Sequence, residues 1–334
     1  MHNNENRVPQ NLLHHYNQPK AAKKGGTEMH FLRRQDNGIE RALEWCAGHM
    51  IQGQGIIVHT RQHVPYPEVT GYLVPTLYAW GAVELARTCT RWLVSTQLAE
   101  GAFPAPDGVP YSFDTAQVMR GLSAALERGE SVEGSLRRAA DWMLGQIAPS
   151  GRLATPSTEL WGDIANDLIH IYAAYPLIRA GEMLSQLEYI EAGRRMQSYY
   201  IAQPTLTAFN RLSHFHAYAM EALWELGEFE LACQGMAEVD KLQRRNGAIP
   251  AYPHVEWTCS TGIAQYAVVW YRLGNRERAD RALRYLDSIQ NKSGGFFGSY
   301  GKGAKYIPGA EISWAVKYFL DAYHLKLGGP RRHA

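Results

Sequence analysis

The sequence predicts an all-α protein of about twelve helices in six hairpins closed into an (α/α)6 toroid, and three observations predict it. First, a glutamine-led helix stop recurs at Gln52, Gln97, Gln146, Gln203, Gln243 and Gln290, with spacings of 45, 49, 57, 40 and 47 residues. A period in that range marks a repeated supersecondary unit. Second, segments apolar on nearly every side alternate with segments apolar on one face only. The former must be buried all round and the latter must face water, which an inner ring of helices inside an outer ring satisfies. Third, neither end of the array carries the polar cap that an open solenoid requires.

Residues 1–36 are polar and basic, with Lys20, Lys23, Lys24, Arg33 and Arg34, and read as a flexible N-terminal arm. The toroid is expected over 37–328, with 329–334 a disordered tail. Ile39, Ala42, Leu43, Cys46 and Met50 share one face of a first outer helix. Residues 69–80 form the first inner helix, which Pro75 is expected to kink or delay, and 83–98 form its outer partner. Inner and outer segments then recur as 112–126 with 131–146, 160–183 with 186–203, 212–226 with 228–242, and 256–273 with 276–289. A last inner helix over 311–325 closes on the first outer one. Period-two alternation is sustained nowhere, so no sheet is expected.

A chain of 334 residues that is 46% apolar, with nine Trp and nineteen Tyr, can bury a large core. Its net charge of +2 offers no basic surplus for nucleic acid or an anionic membrane. No run approaches the roughly 20 apolar residues of a membrane span. Cys46, Cys89, Cys233 and Cys259 lack the spacing of a metal site or a disulfide framework. With no apolar leader at the start, they point to a reduced, cytoplasmic setting. No metal or cofactor motif is present.

The Gln-x3-Gly-x-Phe elements from Gln97 to Phe103 and from Gln290 to Phe296 resemble the glutamine and aromatic repeat of the prenyltransferase and squalene-cyclase toroids. Six-hairpin glycosidases are similar at the same level of period. The resemblance implies the closed ring and not the terpenoid chemistry. No Asp-x-Asp-Asp acid and no Asp-Asp-x-x-Asp magnesium motif is present, Trp257 stands where a zinc-site aspartate would precede Cys259, and His324 lies about 20 Å along its helix. Pro67 to Tyr72, Glu311 to Trp314 and Phe319 to Tyr323 are similar to uncharacterised toroid proteins of bacterial surface-polysaccharide gene clusters, which implies a glycan setting.

The N-terminal ends of the inner helices should line a common cup. They bring Glu68, Thr70 and Tyr72; Tyr111, Asp114 and Gln117; Trp161, Asp163 and Asp167; His214, His216 and Tyr218; His254, Glu256, Trp257 and Cys259; and Glu311, Ser313 and Trp314. Each acid alone reads as a helix N-terminal cap. As a set, carboxylates beside flat aromatic faces match the stacking surfaces and hydroxyls of sugars. Asp114 and Asp163, on adjacent inner helices about 8–10 Å apart, are the expected pair for hydrolysis with inversion. Glu68 and Glu311 are further candidates.

His214 or His216, with Tyr218 or Tyr72 as acid, would instead serve proton abstraction in an epimerase or lyase. Residues two apart on a helix diverge by about 200°, so only one of these histidines should face the cup. Lys302 and Lys305, in a Gly-rich loop, would hold an anionic substrate. The expected function is therefore that of an enzyme on an acidic glycan, with hydrolysis preferred. Epimerisation or elimination, a non-enzymatic glycan-binding scaffold, and last a terpenoid cyclase or prenyltransferase are the alternatives. The expected partner is a carbohydrate, with no nucleic acid.

Overall fold

A computed structural model describes residues 26–154 and 167–329, with side chains from Asn37 onward. Among the described residues are twelve α-helices: α1 (Gly26–Gly48), α2 (Pro67–Ala79), α3 (Val83–Thr96), α4 (Ser112–Glu127), α5 (Glu133–Gly145), α6 (Ala174–Leu184), α7 (Leu187–Ile201), α8 (Ser213–Glu225), α9 (Phe229–Leu242), α10 (Ser260–Arg272), α11 (Arg276–Ile289) and α12 (Ser313–Lys326). The even-numbered helices are the all-round apolar ones, and they touch in sequence from α2 through α12 and back to α2. The odd-numbered helices bury one face and leave the other wet, as α11 does with Ala279, Ala282, Leu283 and Leu286 inward. The chain is an all-α toroid, as the alternation predicts.

Ring closure is visible in two sets of contacts that repeat around the circle. Four of the inner helices begin at a serine that stitches their start to the loop of the following hairpin. Ser112 Oγ donates to Ala154 O, the Ser213 amide to Ala251 O, and Ser260 Oγ to Phe297 O. The Ser313 amide and hydroxyl complete the circle on Val58 O, at 2.9 and 3.0 Å. The glutamine stops form the second set. Gln97 Nε2 binds Gly101 O and Ser135 O on the next outer helix, and Gln290 Nε2 likewise binds Gly294 O and Gly38 O.

The glycine after four of the stops has a structural duty as well. Gly101, Gly151, Gly247 and Gly294 have φ near +100° (105°, 92°, 93° and 94°). A Cβ there would lie 1.9–2.2 Å from the carbonyl oxygens of Arg138, Arg195, Arg281 and Arg41. Only glycine tolerates both the left-handed backbone and the approach. The fourth of these contacts joins the last hairpin to the first helix.

The structure departs from the sequence reading at several boundaries. Pro75 neither delays nor ends α2. Its missing N–H leaves Gly71 O outside the helical ladder, and that carbonyl faces the crossing with α4, where Gly71 and Gly121 pack backbone to backbone. The third inner segment is broken, with a 3₁₀ turn (Asp167–Ala173) leading into α6. Pro176 sits in the first turn of α6, where its lack of a donor costs nothing. A two-residue antiparallel pair, β1 (Thr258–Cys259) with β2 (Ser299–Tyr300), stands where no sheet was expected. Accordingly α10 starts at Ser260 and leaves His254, Glu256 and Trp257 in the preceding loop. α1 begins at Gly26, within the segment read as an arm. The four cysteines are unpaired, three of them buried.

Candidate active site

The inner-helix starts converge on a buried cluster built around Glu68 of α2 and Asp114 of α4, which are 3% and 6% exposed. Tyr66, just ahead of α2, donates its hydroxyl to Asp114 Oδ2 at 2.6 Å. Trp314 Nε1, at the start of α12, donates to both Glu68 oxygens at 3.2 and 3.4 Å. His214 of α8 stacks near Tyr218 (4.5 Å between ring centroids) and Trp314 (5.7 Å), with Tyr306 at 6.0 Å. Phe113 packs edge-on to Tyr218 and lies near His170. Below this level Tyr72 and Tyr218 share a hydroxyl contact of 3.1 Å, and Tyr172 and Tyr318 one of 3.2 Å. Three inner helices and the 3₁₀ turn thus close the floor with tyrosines.

The electrostatics separate the two carboxyls. Burial pushes Glu68 well above the usual carboxylate range, and the nearby Asp114 charge pushes it further. Burial also raises Asp114, to about 7, while the Tyr66 hydrogen bond opposes the rise. Both carboxyls are thus held toward the protonated form, and their mutual repulsion favours a state in which one keeps a proton while the other ionises, the division of labour that acid–base catalysis needs. Burial lowers His214 to about 4, so it is uncharged near neutral pH. Its Nδ1 meets Gln265 Oε1 at 2.6 Å, which places the hydrogen on Nδ1 and leaves Nε2 as the unprotonated nitrogen. Two buried polar atoms of the cluster, Tyr306 Oη and Gln265 Nε2, have no hydrogen-bond partner.

The other predicted residues lie apart from this cluster or play structural parts. His216 points away from the cup: Nδ1 meets the Tyr266 hydroxyl at 2.8 Å and Nε2 meets Thr207 O at 3.0 Å, so both nitrogens are used in packing. Glu311 precedes α12 and turns outward, where Trp45 Nε1 (2.6 Å), Asn291 Nδ2 (2.7 Å) and the Ser293 hydroxyl donate to it. Tyr111 is tied to Asp107 at 2.8 Å. Asp167 pairs with Arg152 and His170, whose hydrogen bonds outweigh partial burial and hold its pKa low. Glu256 and Lys305 are exposed loop residues, and Trp257 packs on Tyr252. Trp161 and Asp163 lie outside the described residues. Among the described residues no group of three metal-ligating side chains occurs, and no helix is long and apolar enough to cross a membrane.

Sequence reasoning missed Tyr66, Phe113, His170, Gln265 and Tyr306. A signal for two of them exists in the repeat register. The residue one beyond the start of α2, α4, α8 and α12 is Glu68, Phe113, His214 and Trp314, and the residue five beyond the start of α2, α4, the 3₁₀ turn, α8, α10 and α12 is Tyr72, Gln117, Tyr172, Tyr218, Gln265 and Tyr318. Tyr66 and Tyr306 sit in loops, where no periodicity marks them.

No family model matches this chain, and no curated protein is similar to it in sequence. Solved structures do resemble it. A wild-type glycosidase matches with a TM-score of 0.71 at 11% identity, over 89% of this chain and 98% of the other. An unsaturated glucuronyl hydrolase specific for heparin matches with a TM-score of 0.66 at 13% identity, over 88% and 96%. A polysaccharide lyase matches with a TM-score of 0.60 at 12% identity, over 87% and 97%. At such identity the likeness establishes the toroid fold across nearly the whole chain.

Proposed function

We propose that this chain is a glycoside hydrolase of acidic glycans, with Glu68 as general acid and Asp114 as its partner carboxylate. The observation that carries the reading is this buried pair on adjacent inner helices, held by Trp314 and Tyr66 and split in protonation by mutual repulsion. Protonated Glu68 would deliver its proton to the departing glycosidic oxygen, and ionised Asp114 would act on the anomeric carbon directly or through water. Asp163, the partner expected for Asp114 from sequence, lies outside the described residues, and Glu68 takes that role here. Trp314, Phe113 and Tyr218 supply ring faces for a sugar. The kinship in fold with a glucuronyl hydrolase supports an acidic substrate. The cytoplasm and a surface-polysaccharide pathway fit four unpaired cysteines and the sequence resemblance.

The test is turnover of uronate-containing oligosaccharides, followed by reducing-end release. Glu68→Gln and Asp114→Asn should each lower kcat by about 10³-fold or more with substrate still bound. Full turnover in either variant would overturn the assignment. A second reading, elimination or epimerisation, is favoured by one observation: neutral His214, its Nε2 free, lies beside Tyr218 and Trp314. In that case His214→Ala would abolish product and Asp114→Asn would spare it. The product would also show the ultraviolet absorbance of a new double bond or an inverted carbon.

A further inference from the structure

The carboxyl pair is sealed in this structure. Glu68 and Asp114 are 3% and 6% exposed, and His214 and Trp314 beside them are 1% and 2% exposed. No sugar can reach these groups until a covering segment moves. Tyr66 and Tyr306 both come to the cluster from loops, and they are held differently. The Tyr66 hydroxyl is bound to Asp114, and its amide to Ile56 O at 3.0 Å. The Tyr306 hydroxyl, equally buried, has no hydrogen-bond partner among the described residues.

The segment that carries Tyr306, residues 301–309, is built as a flap. Gly301, Lys302, Gly303, Lys305, Pro308 and Gly309 are exposed, Ala304 and Ile307 are half-buried, and Tyr306 is the one buried residue of the nine. Gly301, Gly303 and Gly309 take φ of 106°, 78° and 68°, which glycine adopts freely. Ile307, next to Tyr306, has a φ of 45°, a region that a β-branched residue disfavours. Outliers of this kind persist only where their surroundings hold them, and they gather at switch regions. Here the hold is slight. The Ala304 amide turns back within the segment to Gly301 O at 3.3 Å, while Ile307 O and Pro308 O accept from the Gly298 amide and from the exposed Arg61 side chain.

A segment wet along most of its length thus drives one aromatic side chain inward. The Tyr306 ring lies 6.0 Å from that of His214, between centroids. Burial, then the nearby Cys259 and Glu68, push its hydroxyl well above the usual phenol range, so it stays a neutral donor. A buried donor left unmet destabilises the closed form, as does the strained Ile307. Lifting the segment relieves both while wetting a single ring, which favours local opening without unfolding of the ring of helices.

We propose that residues 301–309 form a lid over the Glu68–Asp114 cluster, with the Tyr306 ring as its plug, and that a saccharide meets the carboxyl pair only when this lid lifts. The lid governs access to the site proposed above and is read without turnover. A lidded chain that hydrolyses nothing and a hydrolase without a lid therefore give different results.

For the test, the full chain is treated with a water-soluble carbodiimide and glycinamide in mildly acidic buffer, and the labelled carboxyls are mapped by mass spectrometry. Glu68 and Asp114 should label slowly in the parent. Tyr306→Ala should speed both by about tenfold or more, while Tyr306→Phe, which keeps the ring, should leave them slow. Glu277, with 83% of its side chain exposed, is the fast reference. Glu221, 1% exposed at the other end of the inner ring, should stay slow in every variant, since only general unfolding would reach it. Tyr306→Leu decides if Tyr306→Ala does not fold. The proposal is overturned if Glu68 and Asp114 label no faster without the ring, if Glu221 speeds up in step with them, or if Tyr306→Phe labels as fast as Tyr306→Ala.

Discussion

At the scale of single residues, Asp114 gives the sharpest expectations because its burial sets both its acidity and its cost. Its pKa is about 7 in the folded chain and near 4 when unfolded, so the folded state holds a proton that the unfolded state releases between those values. Its contribution to stability is full below about pH 4 and is lost as pH rises through about 7. Asp114→Asn should therefore melt a few °C above the parent at pH 8, with the gain vanishing toward pH 4 in a series of thermal melts. The same titration should govern turnover. Activity is expected to rise through about pH 7 as Asp114 ionises, and to fall at higher pH as Glu68 loses its proton. Tyr66→Phe removes the hydrogen bond that holds Asp114 down, so the acidic limb of the pH–rate profile should move to higher pH. An unmoved limb would detach Asp114 from that limb.

At the scale of elements, the Gln-x3-Gly-x-aromatic stops, which the sequence shows as a rhythm, are the fastenings between neighbouring hairpins. Gly294→Ala would meet a strained φ of 94° and a carbonyl oxygen 2.1 Å from the new Cβ. A loss of about 3 kcal/mol or more is expected by chemical denaturation. Gly108→Ala has a similar φ of 83° but open space around it, and should cost about 1 kcal/mol. The difference isolates the hairpin contact from the backbone strain. The inner helices show a second rhythm. Their residue at the fifth step meets across the axis, which is why Tyr72, Tyr172, Tyr218 and Tyr318 form one layer.

At the scale of the whole molecule, closure makes the first and last hairpins neighbours. Thr76 donates to Asp321 at 2.7 Å, Trp80 Nε1 to Leu320 O at 3.1 Å, and Arg41 to Gln290 at 2.8 Å. Deleting residues 276–329 should therefore unfold the chain as a unit, since α1 and α2 would lose the faces that cover them. An open solenoid would keep its remaining repeats folded. Far-ultraviolet circular dichroism and the width of the melt distinguish the two results.

The sequence by itself determined the helical class, the six-hairpin period and the inner and outer assignment, because these follow from local periodicity and the need to bury apolar faces. It also named Glu68, Asp114, Tyr72, His214, Tyr218 and Trp314 as candidates, since a residue near an inner start can point toward the axis. Only the tertiary structure decided which of them meet. A loop and a strand pair hold Glu256 and Trp257 outside the helix start, and the turn of the chain before α12 gives Glu311 to Trp45. Tyr66 and Tyr306 come to the carboxyl pair from loops, and a loop's path is set by what it packs against, which no spacing along the chain records.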